Sequence, residues 1–405
     1  MTKSSDTVLT INTGSSSLKA ALYQNAPAER RKLAIQAERI GTARGRVRIA
    51  DANGATLLDE ERDLTGQDTA LHALLSWLHD HRSDHPFDAV GHRVVHGGMH
   101  YREPQRVTPA LLTALQQLTL IDPDHLPQAL SAIRTVGEAH PDLPQVACFD
   151  TAFHRHMPPV AQRYALPHTY GDAGIIRYGF HGLSYEYIMQ ALRAEDRGSA
   201  DRRVIIAHLG NGASMVAVRG GMSIDTTMGF TPTGGLVMGT RVGDLDPSVP
   251  LYLLRSRSMT SDEVVTLLTK EAGMRGVSGT SGDMRDLLEK ESSDPRAAEA
   301  VALFCYQAKK FVGALAAALG GLDTLIFTGG IGEHAAPVRK RICADLEFFG
   351  IQLDPKRNAA DAPVISADDG AVTVRVMPTD EDLMIARHTY RLLAQGGTDG
   401  FRIPL

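Results

Sequence analysis

The stretch Val8–Tyr23, VLTINTGSSSLKAALY, constrains this chain most. A β-branched apolar run (Val8–Ile11) meets Asn12-Thr13-Gly14-Ser15-Ser16-Ser17, and a second alternating run follows with Lys19 near its start. The order is strand, tight small-residue turn, strand. Small residues let the backbone approach a ligand, and turn N–H groups and hydroxyls form a nest for an anion. Taken alone, the segment is equally readable as a plain hairpin. A second copy, Val204–Val218 (VIIAHLGNGASMVAV), repeats the pattern, and the run Thr324–Thr328 leads into a third glycine-rich turn, Gly329-Gly330-Ile331-Gly332-Glu333. Three such turns, each fed by a strand, point to a duplicated fold that grips a phosphate-bearing ligand. Laying Gly14 on Gly210 gives a repeat offset of about 196 residues. Neither a GxxxxGK[ST] loop nor a complete GxGxxG fingerprint is present, which excludes the Walker and Rossmann modes of phosphate binding.

The remaining pattern is sheet followed by helices, twice, an α/β or α+β chain with two similar halves. Strands are expected near 7–23, 33–41, 46–58, 89–95, 145–149 and 372–376, with a second hairpin over 201–224. Helices are expected at 70–81, 109–117, 261–271, 295–319, 337–349 and 381–393. Two of these strands end in polar residues, His96-Gly97-Gly98 and Asp150-Thr151, where open α/β sheets bind ligands. The 405 residues suffice for two domains, and 43% hydrophobic with 22% charged residues is ordinary for a globular protein. A net charge of -5 argues against nucleic acid as a partner. Cys148, Cys305 and Cys343 stand far apart with no CxxC, which suits a reducing compartment. The polar start MTKSSDT does not read as a signal peptide. The apolar stretch Phe311–Leu322 is too short to span a bilayer and reads as a buried helix. A cytoplasmic protein with no membrane partner is expected.

Phosphoryl transfer needs cations around the moving group, Mg²⁺ between phosphates, and alignment of donor and acceptor. Candidate groups cluster at strand ends: Arg93 and His96 in GHRVVHGG, Asp150 and His154 in CFDTAFH, Arg177 and His181 in IRYGFHG, His208, and Arg241 with Asp244 in MGTRVGDLDP. With no HExxH and no Cys/His cluster, hard-oxygen ligation of Mg²⁺ fits best, and Asn12, Asp150, Glu381 and Asp382 are candidates. No GxSxG is found. The basic runs Glu29–Lys32 and Arg339–Arg341 read as solvated faces.

Ten ordered motifs over about 380 residues resemble the acetate kinase family: INTGSSSLK, GHRVVHGG, FDTAFH, RYGFHG, HLGNGAS, DTTMGFTP, MGTRVGDLDP, SGDMRDL, FTGGIGE and PTDEDLMIA. The resemblance implies a duplicated actin-like, RNase H-like fold with an active-site cleft between two domains, and a homodimer. It implies residues 1–150 with about 380–405 as the first domain and 151–379 as the nucleotide-binding one. The implied reaction is reversible transfer from MgATP to acetate, giving acetyl phosphate and ADP by direct in-line attack, with Mn²⁺ an alternative to Mg²⁺. Asn12 and Glu381 would bind the metal. Ser15, Ser17 and Lys19 would line the first phosphate turn. Arg93 and Arg241 would hold carboxylate and phosphoryl, Asp150 would align the acceptor, and His181 would stabilise the phosphoryl in flight, with His125 in support. His208, Leu209, Gly210, Asn211 and Gly212 would approach the nucleotide phosphates. Asp283, Met284 and Arg285 would sit by the adenosine, closed by Gly330, Ile331 and Gly332. Val95, Phe180 and Pro232 would wall the methyl pocket.

The chain departs from that family in places. Where APLHNP or APLHQP is expected, it reads Asp122-Pro123-Asp124-His125-Leu126-Pro127, with Asp124 replacing a leucine of the acyl pocket. Thr233-Gly234 replaces Leu-Glu, Leu183 and Tyr185 replace Thr and His, His334 replaces Asn, and Asp382 replaces the second Glu of PTxEE. These changes leave acyl and nucleotide preference open. A kinase for propionate or another short acid on the same scaffold is the first alternative. An actin- or Hsp70-like nucleotide switch and a sugar kinase are weaker ones.

Overall fold

The computed structural model describes residues 7–14, 17–25, 29–81 and 83–395. They fall into two compact units, Met1–Ala152 with Asp380–Leu405, and Phe153–Thr379.

In the first unit, β1 (Thr7–Thr13) and β2 (Ser17–Gln24) form the expected hairpin, with Thr13 opposite Leu18 and Asn12 opposite Lys19. Strands β3 (Arg30–Glu38), β4 (Thr42–Asp51) and β5 (Thr56–Leu64) extend the sheet antiparallel. On the other side, β6 (Ala89–Val94) and β8 (Gln145–Phe149) run parallel to β1, with the short β7 (Gln105–Arg106) at the edge. The spatial order is β5-β4-β3-β2-β1-β6-β8-β7. Because β1 is central and covered on both faces, its apolar residues run almost unbroken rather than alternating. Leu9 and Ile11 pack with Leu71, Leu74 and Leu78 of the helix Gln67–Asp80. Val8, with Ala21 and Tyr23, packs with Ala386 and Tyr390 of the helix Glu381–Ala394. That last helix lies hard against β6: a Cβ on Gly91 would fall 2.4 Å from Thr389 Oγ1 and 2.5 Å from Ile385 Cγ2.

The second unit repeats the plan. Strands β9 (Arg203–Leu209), β10 (Ala213–Arg219) and β11 (Met222–Thr226) are antiparallel, and β12 (Thr324–Thr328) and β13 (Thr373–Val376) run parallel to β9. Their order is β11-β10-β9-β12-β13, the same three-antiparallel, two-parallel arrangement as β3-β2-β1-β6-β8. The helix Gly182–Glu195 covers one cluster of strand residues, Tyr185, Ile188 and Leu192 against Val204, Ile206, Val216 and Val218. The helix Pro295–Leu319 is long and apolar enough to cross a membrane. Here it packs on β9, β10 and β11, burying Ala297, Val301, Phe304, Ala308, Val312 and Leu315. It is stopped cleanly: Asp294 Oδ1 accepts the Arg296 N–H at 2.9 Å at one end, and Gly320 at φ 70° ends the other.

Three expectations need correction. The strand expected at 46–58 is two strands, because Asp51 Oδ1 accepts the N–H groups of Asn53 and Ala55, each at 2.8 Å, and Gly54 turns the chain at φ 83°. The helix expected at 337–349 ends at Cys343; Ala344 is extended and Asp345 is left-handed at φ 60°, and only a single 3₁₀ turn follows. The basic run Arg339–Arg341 is not a solvated face, since Arg339 is fully buried and Arg341 pairs with Glu291 at 2.7 Å.

Candidate active site

Each unit gathers polar groups at the C-terminal ends of its parallel strands. In the first unit, Arg93 comes from the end of β6, Asp150 follows the last residue of β8, Asn12 is the penultimate residue of β1, and Glu381 opens the last helix. They form one string. Arg93 Nε donates to both Asp150 oxygens at 3.0 and 3.1 Å while Nη2 also donates to Oδ2. Arg93 Nη1 donates to Asn12 Oδ1 at 3.0 Å, and Asn12 Nδ2 donates to Glu381 Oε2 at 3.3 Å. Burial disfavours the charge on Arg93, but Asp150 and Glu381 outweigh it and hold the guanidinium charged. Burial pushes the Asp150 carboxyl upward, and Arg93 opposes that push. The bidentate geometry is that of a guanidinium and an ionised carboxylate.

The start of the last helix is densely acidic. Asp380 caps it, accepting the Leu383 N–H at 2.9 Å, and Tyr23 donates its hydroxyl to Asp380 at 3.0 Å. A helix N-terminus favours carboxylates. Even so, burial, then Asp380 and Glu381, raise Asp382 to about 6. Lys19 is exposed on β2 opposite Asn12. Ser17 accepts the Gly14 N–H through its carbonyl at 2.8 Å, and Ser15 lies outside the described residues. Val95 is buried just beyond β6. Among the described residues, no group of three or more His, Cys, Asp or Glu is placed to hold a metal ion. The hard oxygens of Asn12 and Glu381 do fit Mg²⁺, which needs only one or two protein ligands.

In the second unit, the β9–β10 turn closes with the Gly210 N–H on the Gly212 carbonyl at 3.1 Å. A methyl on Gly212 would lie 2.7 Å from Arg241 Nη2 and 3.4 Å from His181 Nε2, so both groups face this turn. Arg241 is steadied by donating through Nη1 to the carbonyl of the buried Pro232. His181 sits at φ 57° as the residue before the helix Gly182–Glu195, a left-handed conformation that few non-glycine residues adopt. Its Nδ1 lies 2.8 Å from Ser214 Oγ, and its ring stacks on His208 at 4.3 Å between centroids. His208 Nδ1 in turn lies 2.8 Å from Ser184 Oγ.

Two candidates from the sequence are braces instead. His154 is buried and donates through Nε2 to the Phe180 carbonyl at 3.1 Å, while Nδ1 accepts from Ser223 Oγ at 2.9 Å; burial lowers its pKa to about 4. It thereby fixes the chain next to His181. Arg177 Nη1 donates to the carbonyls of Thr226, Thr227 and Met228 at 3.1, 3.0 and 3.3 Å.

The third glycine turn is the start of a short helix, Gly329–His334. A Cβ on Gly329, at φ 75°, would meet the Leu209 carbonyl oxygen at 2.8 Å, so the turn lies directly against the end of β9. Glu333 Oε1 accepts the Gly329 N–H at 2.8 Å. Arg339 donates to the carbonyls of Gly332 and Glu333, each at 2.9 Å, and through Nε to Asn358 Oδ1 at 2.9 Å. This brace, which no local sequence signal announces, anchors the Gly332 end of the turn Gly330, Ile331 and Gly332. Asn211 accepts the Gly239 N–H at 3.0 Å, tying the second turn to the MGTR loop. Asp283 spends its carboxylate on the helix Met284–Lys290, accepting the Arg285 N–H at 2.8 Å; Asp283 and Arg285 are exposed and Met284 is buried. Phe180 is fully buried.

A family model described as the acetokinase family matches residues 7–387. The chain is 48% identical over 399 residues to an acetate kinase of Rhodopseudomonas palustris, covering 97% of this chain and all of that protein. Among solved structures, the acetate kinase of Porphyromonas gingivalis matches with a TM-score of 0.85 at 37% identity, over 96% of this chain and 100% of that one. A propionate kinase from Francisella tularensis matches with a TM-score of 0.88 at 34% identity, over 95% and 98% of the two chains.

Proposed function

The chain belongs to the acetokinase family and has its duplicated actin-like fold, and from that premise we propose the reaction it carries out and the residues that do it. It is an ATP-dependent acetate phosphotransferase, converting acetate and ATP reversibly to acetyl phosphate and ADP. Acetate is ionised at neutral pH and is a weak nucleophile, so it needs alignment more than a base. The first unit supplies the acceptor and metal groups, and the second supplies the nucleotide turns. Arg93 and Arg241 hold the acetate carboxylate and the transferring phosphoryl, with in-line attack of a carboxylate oxygen on phosphorus. Asp150 and Asn12 fix the Arg93 fork before substrate arrives. His181, oriented by Ser214, places Nε2 beside Arg241 to take up charge on the phosphoryl. Asn12 and Glu381 would hold Mg²⁺, directly or through water, and the ion supplies charge neutralisation between phosphate oxygens. Val95, Phe180 and Pro232 wall the methyl pocket, and Asp283, Met284 and Arg285 border the adenosine.

The observation that carries this reading is the unbroken string Glu381–Asn12–Arg93–Asp150 within a family match spanning residues 7–387. A homodimer in a reducing, cytoplasmic compartment completes it. The helix Ser248–Ser256 buries none of its side chains and leaves Val249, Leu251 and Tyr252 exposed, a face suited to a second copy, and the three cysteines are free thiols. Propionate is the second acceptor to weigh, because the Francisella propionate kinase shares the fold with a TM-score of 0.88 and the resemblance puts Asp124 where the family has a leucine of the acyl pocket. Incubation with MgATP and formate, acetate, propionate or butyrate, with acyl phosphate trapped as hydroxamate, separates the two. The strongest signal is expected with acetate. A clear preference for propionate makes Asp124 a specificity residue, and no product with any acid overturns the assignment.

A further inference from the structure

The loop before the helix Leu126–Ala139 carries an aspartate where the family pattern begins with alanine, and this residue does something specific. Asp122 is buried, and its Oδ1 lies 2.9 Å from Nδ1 of His125. A carboxylate only accepts, so the proton of that bond sits on His125 Nδ1. The carboxylate is not spent on the helix: no side chain caps its N-terminus, and Asp122 meets the Leu126 N–H through its carbonyl at 3.3 Å. Asp122 Oδ2 is buried without a hydrogen-bond partner among the described residues. Keeping a half-satisfied carboxylate out of water is costly, and a position that bears that cost calls for a functional reason.

His125 supplies one. With Nδ1 committed to Asp122, its Nε2 takes no partner among the described residues and is not sealed from solvent. The pair sits within electrostatic reach of the reacting groups: Asp122 acts on Arg93, and His125 acts on Asp150. We propose that Asp122 is a positioning residue of this chain, one that fixes the tautomer and ring orientation of His125 so that Nε2 is presented to the acyl-phosphate end of the reaction. The proposal deepens the acetate kinase reading and rests on it for the role of Nε2, whereas the tautomer itself does not.

The test uses the full-length protein with ¹⁵N-labelled histidine. Two-bond ¹H–¹⁵N correlation spectra of the ligand-free protein, followed to alkaline pH, read the tautomer directly. His125 is expected to carry its proton on Nδ1, and Asp122→Ala, which installs the family's residue, should move it to Nε2. In the acetate assay, losing a group that orients a functional histidine should lower kcat on the order of tenfold, with the acetate KM within about twofold. Asp122→Asn keeps an acceptor oxygen and should recover most of the rate. The Asp122→Ala, His125→Ala double variant should be no slower than His125→Ala alone. If the alanine variant does not fold, Asp122→Asn in the same cycle with His125→Ala gives the same reading. A wild-type proton on Nε2, or losses that multiply in the double variant, overturns the proposal. A wild-type protein that makes no acyl phosphate overturns the functional reading alone.

Discussion

The two sheets share a five-strand plan, yet different residues stand at its C-terminal ends. With Gly14 laid on Gly210, Asn12 falls on His208, and in the second unit residues 210–212 alone link β9 to β10. Past the next parallel strands the first unit places Asp150, paired with Arg93, where the second places Met377; past β12 stands Gly329, a residue that lets helix and strand backbones touch. The scaffold thus decides where groups can stand, and side chains decide what they do there. On the proposed reading, the charges of the first copy serve a carboxylate and a metal, while the glycines of the second let a phosphate chain approach backbone beside Arg241 and His181.

That contrast can be broken from either side. The largest effect is expected from Arg93→Ala in the first unit. It removes the cation proposed to hold the substrate and strands a buried Asp150. Activity should fall on the order of 10³-fold in kcat, and stability by about 3 kcal/mol, the cost of leaving a buried charge without its partner. Steady-state kinetics and a denaturant titration check both parts. The matching change in the second unit, Gly212→Ala, adds only a methyl, but that methyl would press on Arg241 Nη2 at 2.7 Å. A displacement of this size should cost roughly 10²-fold in kcat with little change in melting temperature.

The smallest effect concerns a feature the units share. Each buries a neutral histidine, His92 and His154, both lowered to about 4 by burial. Their folded pKa values lie below the unfolded value near 6.5, so the folded state binds fewer protons. The stability they carry is full above pH 6.5 and is lost as pH falls toward 4, by up to about 3 kcal/mol for each, on an order-of-magnitude scale. Thermal melts between pH 7 and 4 should show this loss, and His154→Gln should flatten part of it. An unchanged slope in that variant would argue that other groups govern the acid limb.

Much of this was legible in residues 8–23 and 204–218, because a strand, a run of small residues and a second strand are local features with a fixed period. The same logic, applied to Asn53-Gly54, would have split the strand expected at 46–58, since that dipeptide is a strong hairpin signal. Other features had no local signal. His181 is left-handed because Ser214 and the helix Gly182–Glu195 hold it, and both partners are remote or follow a start with no side-chain cap. Arg339 reads as one cation of an RKR run, and its burial depends on carbonyls six and seven residues earlier and on Asn358 nineteen residues later. Asp283 in SGDMRDL also caps the helix Met284–Lys290, a second use for which Asp is equally suited.

The central claim is that the first unit serves the acceptor and the second the nucleotide. It is tested most directly by calorimetric titration of ADP into Arg93→Ala and wild type, beside the hydroxamate assay of the same samples. The account predicts that acyl phosphate formation collapses while the ADP dissociation constant stays within about threefold, a shift worth less than 1 kcal/mol. Loss of ADP binding in step with activity, from a variant that remains folded, would contradict it.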